Sequence, residues 1–492
     1  MRRRLAGGIR AGSPMTSTIS LPVWLFAVIV ALAVLAAVDD VFLPGLRWYL
    51  RRRVNRAIAE VNARFGLELP TFQLTTRRVL IDRLVYDPEV MATVGAVAAE
   101  RGVERESLMV EVTSIAREMV PAFNAYFYFK LGYWIARRLL RGFYRVRLGF
   151  AHERAAARAP PDTAVVFFIN HRSNVDYMLV TYLAARSVAL SYGAGEWARL
   201  WPIRNLLRLA GVYILRRESG DPLYRKVLER YVQMATEACV PHAIFAEGRL
   251  SRDGRIHRPR LGMLGYITKT FDPAGAYDIE FIPVATNFDR VMEERTLVAD
   301  PDADFRGRGG KFIFGSTSMF FARMVWRKLQ GRFPGFGVAC ANFGEPVSLR
   351  EWAGERGLNF SKLDRKQLFE AVEELGEELT RRIVDVVPVL SVPVVSAVLL
   401  EAEGPLEGEA VKRRAMQWLD DARALGAHIG LREGSEAADI ERAVQSLRKR
   451  RLITETEDGF APEERHRPLL AYYAASIQQL RAHLERKRSG PE

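Results

Sequence analysis

The chain has 492 residues, of which 49% are hydrophobic and 26% charged, a composition typical of folded domains and too apolar for a disordered protein. Its 72 Lys and Arg residues outnumber its 58 Asp and Glu residues, and the net charge of +14 favours anionic partners such as phosphates, acidic lipids or nucleic acid. Only two cysteines occur, Cys239 and Cys340, which excludes a disulfide framework and a cysteine-based zinc site.

An uncharged N-terminal segment predicts a membrane helix. Leu21–Val38 is apolar, and its 18 residues span about 27 Å as a helix, close to the ~30 Å hydrocarbon core of a bilayer. A signal peptide and a buried helix are the alternatives, but Asp39-Asp40 is a poor cleavage site. Arginines flank both ends almost equally, and a start at Met15 would remove the first cluster. We expect the body of the protein on the cytoplasmic side of the inner membrane.

Residues 54–145 are predicted to be helical. Asp87-Pro88 is typical of a helix start, Gly102 of a helix end, and Glu104 of the next start. The stretch Phe123–Tyr144 combines many aromatic residues with interleaved arginines. Such a pattern predicts either a helix lying at a lipid surface or an ordinary core helix.

Short β-prone runs alternate with helical stretches from about residue 160, which predicts an α/β domain with a largely parallel central sheet. The predicted strands are Ala164–Ile169, Val212–Leu215, Ala243–Phe245, Ile279–Ala285 and Gly337–Phe343.

The C-terminal part is predicted to be helical from about residue 405, with a small hairpin over Leu452–Phe460. Before it, the apolar run Ile383–Leu400 contains Pro388 and Pro393, which favour a buried or surface-embedded hairpin over a second membrane span. The predicted organisation is a membrane anchor (1–53), a helical domain (54–145), an α/β domain (146–385) and a helical C-terminal region (386–492).

The best candidate for chemistry is the segment Phe167–Asp176, in which His171 follows a buried strand and Asp176 lies near a helix start. Ligands bind at the carboxyl ends of strands in open α/β sheets. A histidine there accepts a hydroxyl proton near neutral pH, and a nearby carboxylate orients it and stabilises its charged form. Ser173 and Asp176 also have the spacing of a capping box, so Asp176 has a purely structural alternative.

Three further strands end in segments that carry arginines or other polar residues: Gly211–Arg217, Phe245–Arg255 and Ile282–Asp289. Pairs of arginines are often merely solvated, but these segments follow strands that should share one sheet edge with His171. Guanidinium groups placed there would bind a phosphate through charge-assisted, often bidentate, hydrogen bonds.

Taken in order, these segments resemble the glycerol-3-phosphate O-acyltransferase family and its motifs H-x-x-x-x-D, G-x-x-[FI]-[IL]-R-R, F-x-E-G-x-R-S-R-x-G and I-P-[VI]-x-x-x-[YF]-[DE]. The third motif departs at Leu250, where the family usually has Arg and this chain has Arg249 one position earlier. The resemblance covers about residues 75–475 and implies the long, membrane-bound form. The matched positions are His171, Asp176, Gly211, Ile214, Arg216, Arg217, Phe245, Glu247, Gly248, Ser251, Arg252, Gly254, Ile282, Pro283, Val284, Phe288 and Asp289.

The resemblance implies acyl transfer from acyl-CoA or acyl-carrier protein to glycerol 3-phosphate, with anionic membrane lipid as a further partner. It implies that His171 is the general base and that Asp176 orients it. Arg216, Arg217 and Arg252 would bind the phosphate. Glu247 and Gly248 would shape the loop, and Ser251 belongs to the same predicted substrate site. No metal or bound cofactor is implied.

Dihydroxyacetone phosphate and 1-acylglycerol 3-phosphate are alternative acyl acceptors, since enzymes acting on them share these motifs. A different class is a non-catalytic lipid- or nucleic-acid-binding protein. Residues 436–460 have the helix-then-hairpin pattern of a winged helix and include the basic run Arg448–Arg451. The motif set does not support nucleic-acid binding, so we expect none.

Overall fold

The computed structural model describes residues 70–294 and 335–489, together with Trp326 and Gln330. The first range has gaps at residues 126, 157–158, 161, 185–189, 195–202 and 217–219. The predicted membrane helix Leu21–Val38 and the predicted phosphate ligand Arg217 lie outside the described residues. Within the described ranges, no helix is both long enough and apolar enough to cross a membrane.

The helices that precede the sheet are α1 (Thr71–Leu74), α2 (Arg77–Val85), α3 (Pro88–Arg101), α4 (Arg105–Met119), a π-helix (Phe127–Gly132) and α5 (Tyr133–Phe143). The predicted boundaries of α3 are confirmed. The Asp87 carboxylate accepts hydrogen bonds from the backbone N–H groups of Glu89 and Val90, and Gly102 ends the helix in the left-handed conformation.

Helix α5 places one face in the core and the opposite face in solvent. Ala136, Leu140 and Phe143 are buried, whereas Trp134 is 57% exposed and the neighbouring arginines are exposed. The Arg138 guanidinium lies 5.9 Å from the centre of the Trp134 ring. The stretch Phe123–Tyr144 therefore packs against the core and also presents a cationic, aromatic surface.

In the described residues, eight strands form one sheet in the order β1-β7-β6-β2-β5-β3-β4, with β8 paired to β6. The strands are β1 (Arg145–Ala151), β2 (Thr163–Ile169), β3 (Ser191–Ala194), β4 (Tyr213–Ile214), β5 (His242–Phe245), β6 (Asp278–Phe288), β7 (Val338–Phe343) and β8 (Val347–Ser348). The helices between or after them are α6 (Glu153–Ala156), α7 (Asp176–Ala184), α8 (Ile203–Leu209), α9 (Pro222–Glu237), α10 (Leu261–Thr268) and α11 (Leu349–Glu355).

The strands β6, β2, β5, β3 and β4 run parallel, so their carboxyl ends lie at one edge of the sheet. Strands β7 and β8 instead run antiparallel to β6, and β1 pairs parallel with β7. The sequence predicts the run Gly337–Phe343 as a strand but not its direction. Every residue of β7 is buried, and such a strand has no alternation that reports its orientation.

The C-terminal region contains α12 (Arg365–Asp385), α13 (Ser391–Glu401), α14 (Gly408–Ala424), α15 (Glu436–Lys449) and α16 (Arg467–Ser489), a hairpin of β9 (Ile453–Thr456) and β10 (Gly459–Pro462), and 3₁₀ turns at Phe360–Lys362 and Glu464–His466. The predicted hairpin over Leu452–Phe460 is confirmed, with its turn at Glu457-Asp458. Pro388 lies in the turn between α12 and α13, and residues 391–399 are buried, so the proline-containing run is a core segment.

Candidate active site

His171 and Asp176 form a buried hydrogen-bonded pair just after the carboxyl end of β2. His171 Nδ1 lies 3.0 Å from Asp176 Oδ2, and the two side chains are 3% and 0% exposed. Since a carboxylate only accepts, Nδ1 carries the proton in this arrangement and the lone pair is on Nε2. The pair therefore has the tautomer that a general base requires.

Asp176 also caps the turn in which it lies. Its Oδ2 atom accepts hydrogen bonds from the backbone N–H groups of Arg172 and Ser173, at 2.7 and 2.9 Å. The Asp176 carboxylate therefore both caps the turn and pairs with His171. Its other oxygen, Oδ1, is 2.9 Å from the Thr286 hydroxyl at the end of β6.

Thr286 and Asn170 connect the ends of β2 and β6. The Asn170 side chain accepts from the Thr286 backbone N–H at 2.7 Å and donates to the Thr286 carbonyl at 3.1 Å. Both residues are buried. Thr286 occupies one of the variable positions of the fourth motif, so the motif itself did not single it out.

The third motif is joined directly to the first. The Ser251 backbone N–H donates to the His171 carbonyl at 2.8 Å. The buried Ser251 hydroxyl donates to the Arg255 carbonyl at 2.7 Å and accepts from the Gly254 N–H at 3.1 Å. The Ser251 hydroxyl thus forms hydrogen bonds within its own loop. The resemblance assigns Ser251 to the substrate site.

Glu247 lies beside this junction and is 5% exposed, and its Oε1 atom has no hydrogen-bond partner. Burial raises the pKa of its carboxyl to about 8, although the backbone N–H of His171 and the charge of Arg172 partly oppose the rise. Gly248 follows with a φ of +63°, a left-handed turn that glycine adopts without strain. Glu247 and Gly248 therefore shape the turn next to His171.

Arg172 is the most deeply buried arginine near the site and was not predicted as a site residue. Its Nη1 atom donates to the Gly254 carbonyl at 2.6 Å, and its guanidinium lies 4.8 Å from the centre of the Tyr472 ring. Gly254 has a φ of +83°, and a Cβ there would lie 1.8 Å from the Tyr472 carbonyl oxygen. The first and third motifs thus close directly onto helix α16.

Arg216 follows β4 and is already paired. Its Nη2 atom lies 2.5 Å from Oε2 of Glu118 on α4, and its guanidinium lies 5.2 Å from the centre of the Tyr224 ring. The Glu118 carboxylate raises the pKa of Arg216. Arg252 is exposed on the loop after β5. Of the predicted phosphate ligands in the described residues, Arg216 is thus ion-paired and partly buried, and Arg252 is solvent-exposed.

The basic run Arg448–Arg451 is only partly solvent-facing. The Arg450 side chain is 10% exposed and pairs with Glu294, Arg448 pairs with Glu455, and Lys449 and Arg451 are exposed. The helix-hairpin pattern that resembled a winged helix thus packs against the rest of the protein through one of its own cations. Across residues 70–294 and 335–489, no group of His, Cys, Asp and Glu residues has the arrangement of a metal site.

Two family models match the chain. One is described as "Acyltransferase" and matches residues 152–287, and the other as "Glycerol-3-phosphate acyltransferase C-terminal region" and matches residues 323–483. The first contains the His171–Asp176 pair and the loops described above. The second contains α16, onto which Arg172 packs.

Among curated relatives, a glycerol-3-phosphate acyltransferase of Ectopseudomonas mendocina is 27% identical over 82% of this chain, and one of Pseudomonas putida KT2440 is 25% identical over 82%. The chain spans about half of these relatives' length, 48% and 49%. A solved 1-acyl-sn-glycerophosphate acyltransferase of Thermotoga maritima is 17% identical, with a TM-score of 0.27, and the match covers 62% of this chain and 96% of that one.

Proposed function

Because the chain belongs to the glycerol-3-phosphate acyltransferase family, we propose that it transfers a fatty acyl group from a thioester donor to the 1-hydroxyl of glycerol 3-phosphate. The product would be 1-acylglycerol 3-phosphate. The observation that carries this proposal is the buried His171–Asp176 pair at the carboxyl end of β2. The donor is acyl-CoA or acyl-carrier protein.

In this reaction His171 Nε2 accepts the proton of the 1-hydroxyl as the oxygen attacks the thioester carbon. The new C–O bond forms and the C–S bond breaks, and the imidazolium returns the proton to the leaving thiolate. Asp176 orients the ring and stabilises its charged form. No covalent acyl-enzyme, metal or bound cofactor is needed for this sequence of steps.

The phosphate would bind at the arginine side of the same sheet edge. Arg216, Arg217 and Arg252 follow the ends of β4 and β5, and guanidinium groups form strong bidentate hydrogen bonds with phosphate. Binding the phosphate away from the reacting hydroxyl positions that hydroxyl against His171. Glu247, Gly248 and Ser251 shape the loop between the two parts.

A purified-protein assay tests the proposal by offering glycerol 3-phosphate, dihydroxyacetone phosphate and 1-acylglycerol 3-phosphate separately with one acyl-CoA. We expect the highest kcat/KM with glycerol 3-phosphate. A higher kcat/KM with either of the other two compounds would identify that compound as the acceptor instead. His171→Asn, whose amide still donates to Asp176, should lower kcat about 1,000-fold. A protein inactive on all three acceptors, with acyl-CoA and with acyl-carrier protein, would instead be a non-catalytic binder.

We also propose that the protein is held at the cytoplasmic face of the inner membrane by two elements. One is the apolar segment Leu21–Val38. The other is the exposed face of α5, where Trp134, Arg137, Arg138 and Arg141 combine an aromatic anchor with cations. Each arginine near an anionic bilayer contributes about 1 kcal/mol of attraction, screened by salt within a Debye length of about 8 Å.

Vesicle co-sedimentation of a protein lacking residues 1–45 tests the second element. We expect binding to anionic vesicles at low salt and release at high salt. The double variant Arg137→Glu/Arg138→Glu should lose this binding. The matched control Arg413→Glu/Arg414→Glu, which makes the same charge change on exposed residues of α14, should keep it. Equal loss in both variants, or no binding at all, would leave residues 1–45 as the anchor.

A further inference from the structure

The loop between His171 and Asp176 is held from outside by Glu293. The Ser173 hydroxyl donates to Glu293 Oε2 at 2.7 Å, and Asn174 donates to Oε1 through its backbone N–H at 3.0 Å and its side-chain amide at 2.9 Å. Ser173 and Asn174 are two of the four residues between the base and its carboxylate partner. Glu293 and Asp176 therefore both bind this one short loop.

The next residue, Glu294, binds the C-terminal region. Its carboxylate accepts from the Tyr473 hydroxyl at 2.7 Å and from Arg450, and its other oxygen lies 2.8 Å from Nη2 of Arg290. The Tyr473 hydroxyl also accepts from the Val291 N–H at 3.2 Å. Glu294 is 6% exposed, so the turn that carries both glutamates is fixed by Arg450, at the end of α15, and by Tyr473 on α16.

A second attachment lies on the same segment, four residues before Glu293. Asp289, which the fourth motif matches, accepts from the Ser391 hydroxyl and the Val392 N–H at the start of α13. Its other oxygen accepts from the Val338 N–H at 2.7 Å. The carboxylate of this motif thus anchors the C-terminal region to the end of β6.

We propose that Glu293 is a positioning residue for the His171–Asp176 loop, and that α15 and α16 set its position through Glu294. This inference rests on the proposed acyl transfer by His171. The adjacent glutamates have different partners: one binds the loop between His171 and Asp176, and the other binds residues of the C-terminal region. Displacing Glu294 therefore moves the acceptor to which Ser173 and Asn174 are bonded.

The first test compares Glu293→Ala and Glu293→Gln with the control Glu378→Ala. Glu378 is a half-buried glutamate with side-chain partners Trp352, Arg356 and Arg382, none of them in the loops of the site. We expect Glu293→Ala to lower kcat 10- to 100-fold with both KM values within about threefold of wild type. Glu293→Gln should recover most of the loss, because its amide oxygen accepts from Asn174 and its amide N–H donates to the Ser173 hydroxyl.

A Glu293→Ala loss that appears in the KM for glycerol 3-phosphate would make Glu293 part of the phosphate site and overturn the proposal. A loss matched by Glu378→Ala would also overturn it, since the effect would then be general destabilisation. Wild-type kcat in Glu293→Ala would overturn it directly.

The second test removes the link to the C-terminal region. Tyr473→Phe deletes the hydroxyl that binds Glu294 and the Val291 N–H, and we expect about a fivefold fall in kcat. Combined with Glu293→Ala it should cause no further fall, because the link acts only through Glu293. Independent, multiplicative effects would overturn the coupling.

Hydrogen exchange of the backbone amides of residues 170–176 separates this inference from the proposed function. In wild-type protein these amides should be protected. Glu293→Ala and Tyr473→Phe should increase their exchange, while Glu378→Ala should not. Unchanged exchange in Glu293→Ala would overturn the positioning role even in an active enzyme. Increased exchange in a protein that acylates no acceptor would support positioning and reject the function.

Discussion

The two ends of the candidate site are built differently. After β2, His171 and Asp176 are almost fully buried, and the carboxylate is bonded to backbone groups and to Thr286 from a neighbouring strand. After β4, Arg216 is one-third exposed and is held by one carboxylate from α4. The proposed proton-transfer groups are thus fixed by buried hydrogen bonds, whereas the proposed anion-binding side relies on long, partly solvated side chains. Changes at the first end should therefore lower kcat, and changes at the second should raise KM.

After the loss of His171 itself, the largest effect is expected from Asp176→Asn. The asparagine oxygen can accept from the backbone of Arg172 and Ser173 while its amide donates to Thr286, so the loop keeps its shape but loses the charge that stabilises imidazolium. We expect kcat to fall at least about 100-fold with a nearly unchanged melting temperature. Asp439→Asn, a buried aspartate that binds arginines of β1 and α15, serves as control. If the Asp176→Asn enzyme is as active as wild type, Asp176 acts only as a helix cap.

Next in size is Arg216→Ala. Removing a charge-assisted hydrogen bond to phosphate costs about 1.5–3 kcal/mol, which corresponds to a KM for glycerol 3-phosphate about ten- to a hundredfold higher. The KM for acyl-CoA should change little. Steady-state kinetics with each substrate varied in turn measures both values. If kcat falls instead of KM rising, the division between the two ends is wrong.

Glu118→Gln tests the same difference between the two ends of the site, and its expected effect is smaller. Glu118 orients Arg216, and a neutral amide binds a guanidinium less strongly than a carboxylate does. We expect the KM for glycerol 3-phosphate to rise about three- to tenfold with kcat preserved. A fall in KM would mean that Glu118 competes with the phosphate for Arg216.

The smallest effect is a pH-dependent difference in stability between wild type and Glu247→Gln. The Glu247 carboxyl has a raised pKa of about 8 in the folded protein and about 4.5 when unfolded. Between these values the folded state keeps a proton that the unfolded state has released, so the contribution of Glu247 to stability falls as the pH rises. The melting temperature of Glu247→Gln relative to wild type should therefore increase by a few degrees from pH 5 to pH 8.5. A melting-temperature difference that does not change with pH would mean that the Glu247 carboxyl is more solvated than the structure shows.

Patterns local in sequence predicted much of the fold. Helix α3 follows from Asp87, Pro88 and Gly102, and the buried strands follow from short apolar runs between turns. Strands β1 and β3 were missed: β1 is a partly exposed outer strand with arginines, and β3 has only four residues, Ser191–Ala194. The direction of β7 depends on its partners β1 and β6, which its own residues do not encode.

In the site, the sequence predicted the His171–Asp176 pair because both residues lie in one short segment. The sequence did not predict the roles of Arg172, Glu118 or Thr286, since each depends on a partner brought close only by the fold. His171 also contributes to packing, which its position after a strand does not indicate. Its ring lies 4.2 Å from that of Phe245 and is buried, so an alanine there would also leave a cavity. Contacts between residues that are distant in the sequence leave no pattern in the spacing of residue types.

The contact between Arg172 and helix α16 joins residues 300 positions apart. Contacts of such separation form late in folding, because closing a long loop costs entropy before any contact compensates for it. We therefore expect the segment from His171 to Asp176, although only six residues long, to reach its final shape after the sheet has formed and α16 has docked. In refolding experiments, recovery of the proposed activity should then lag behind recovery of the circular-dichroism signal.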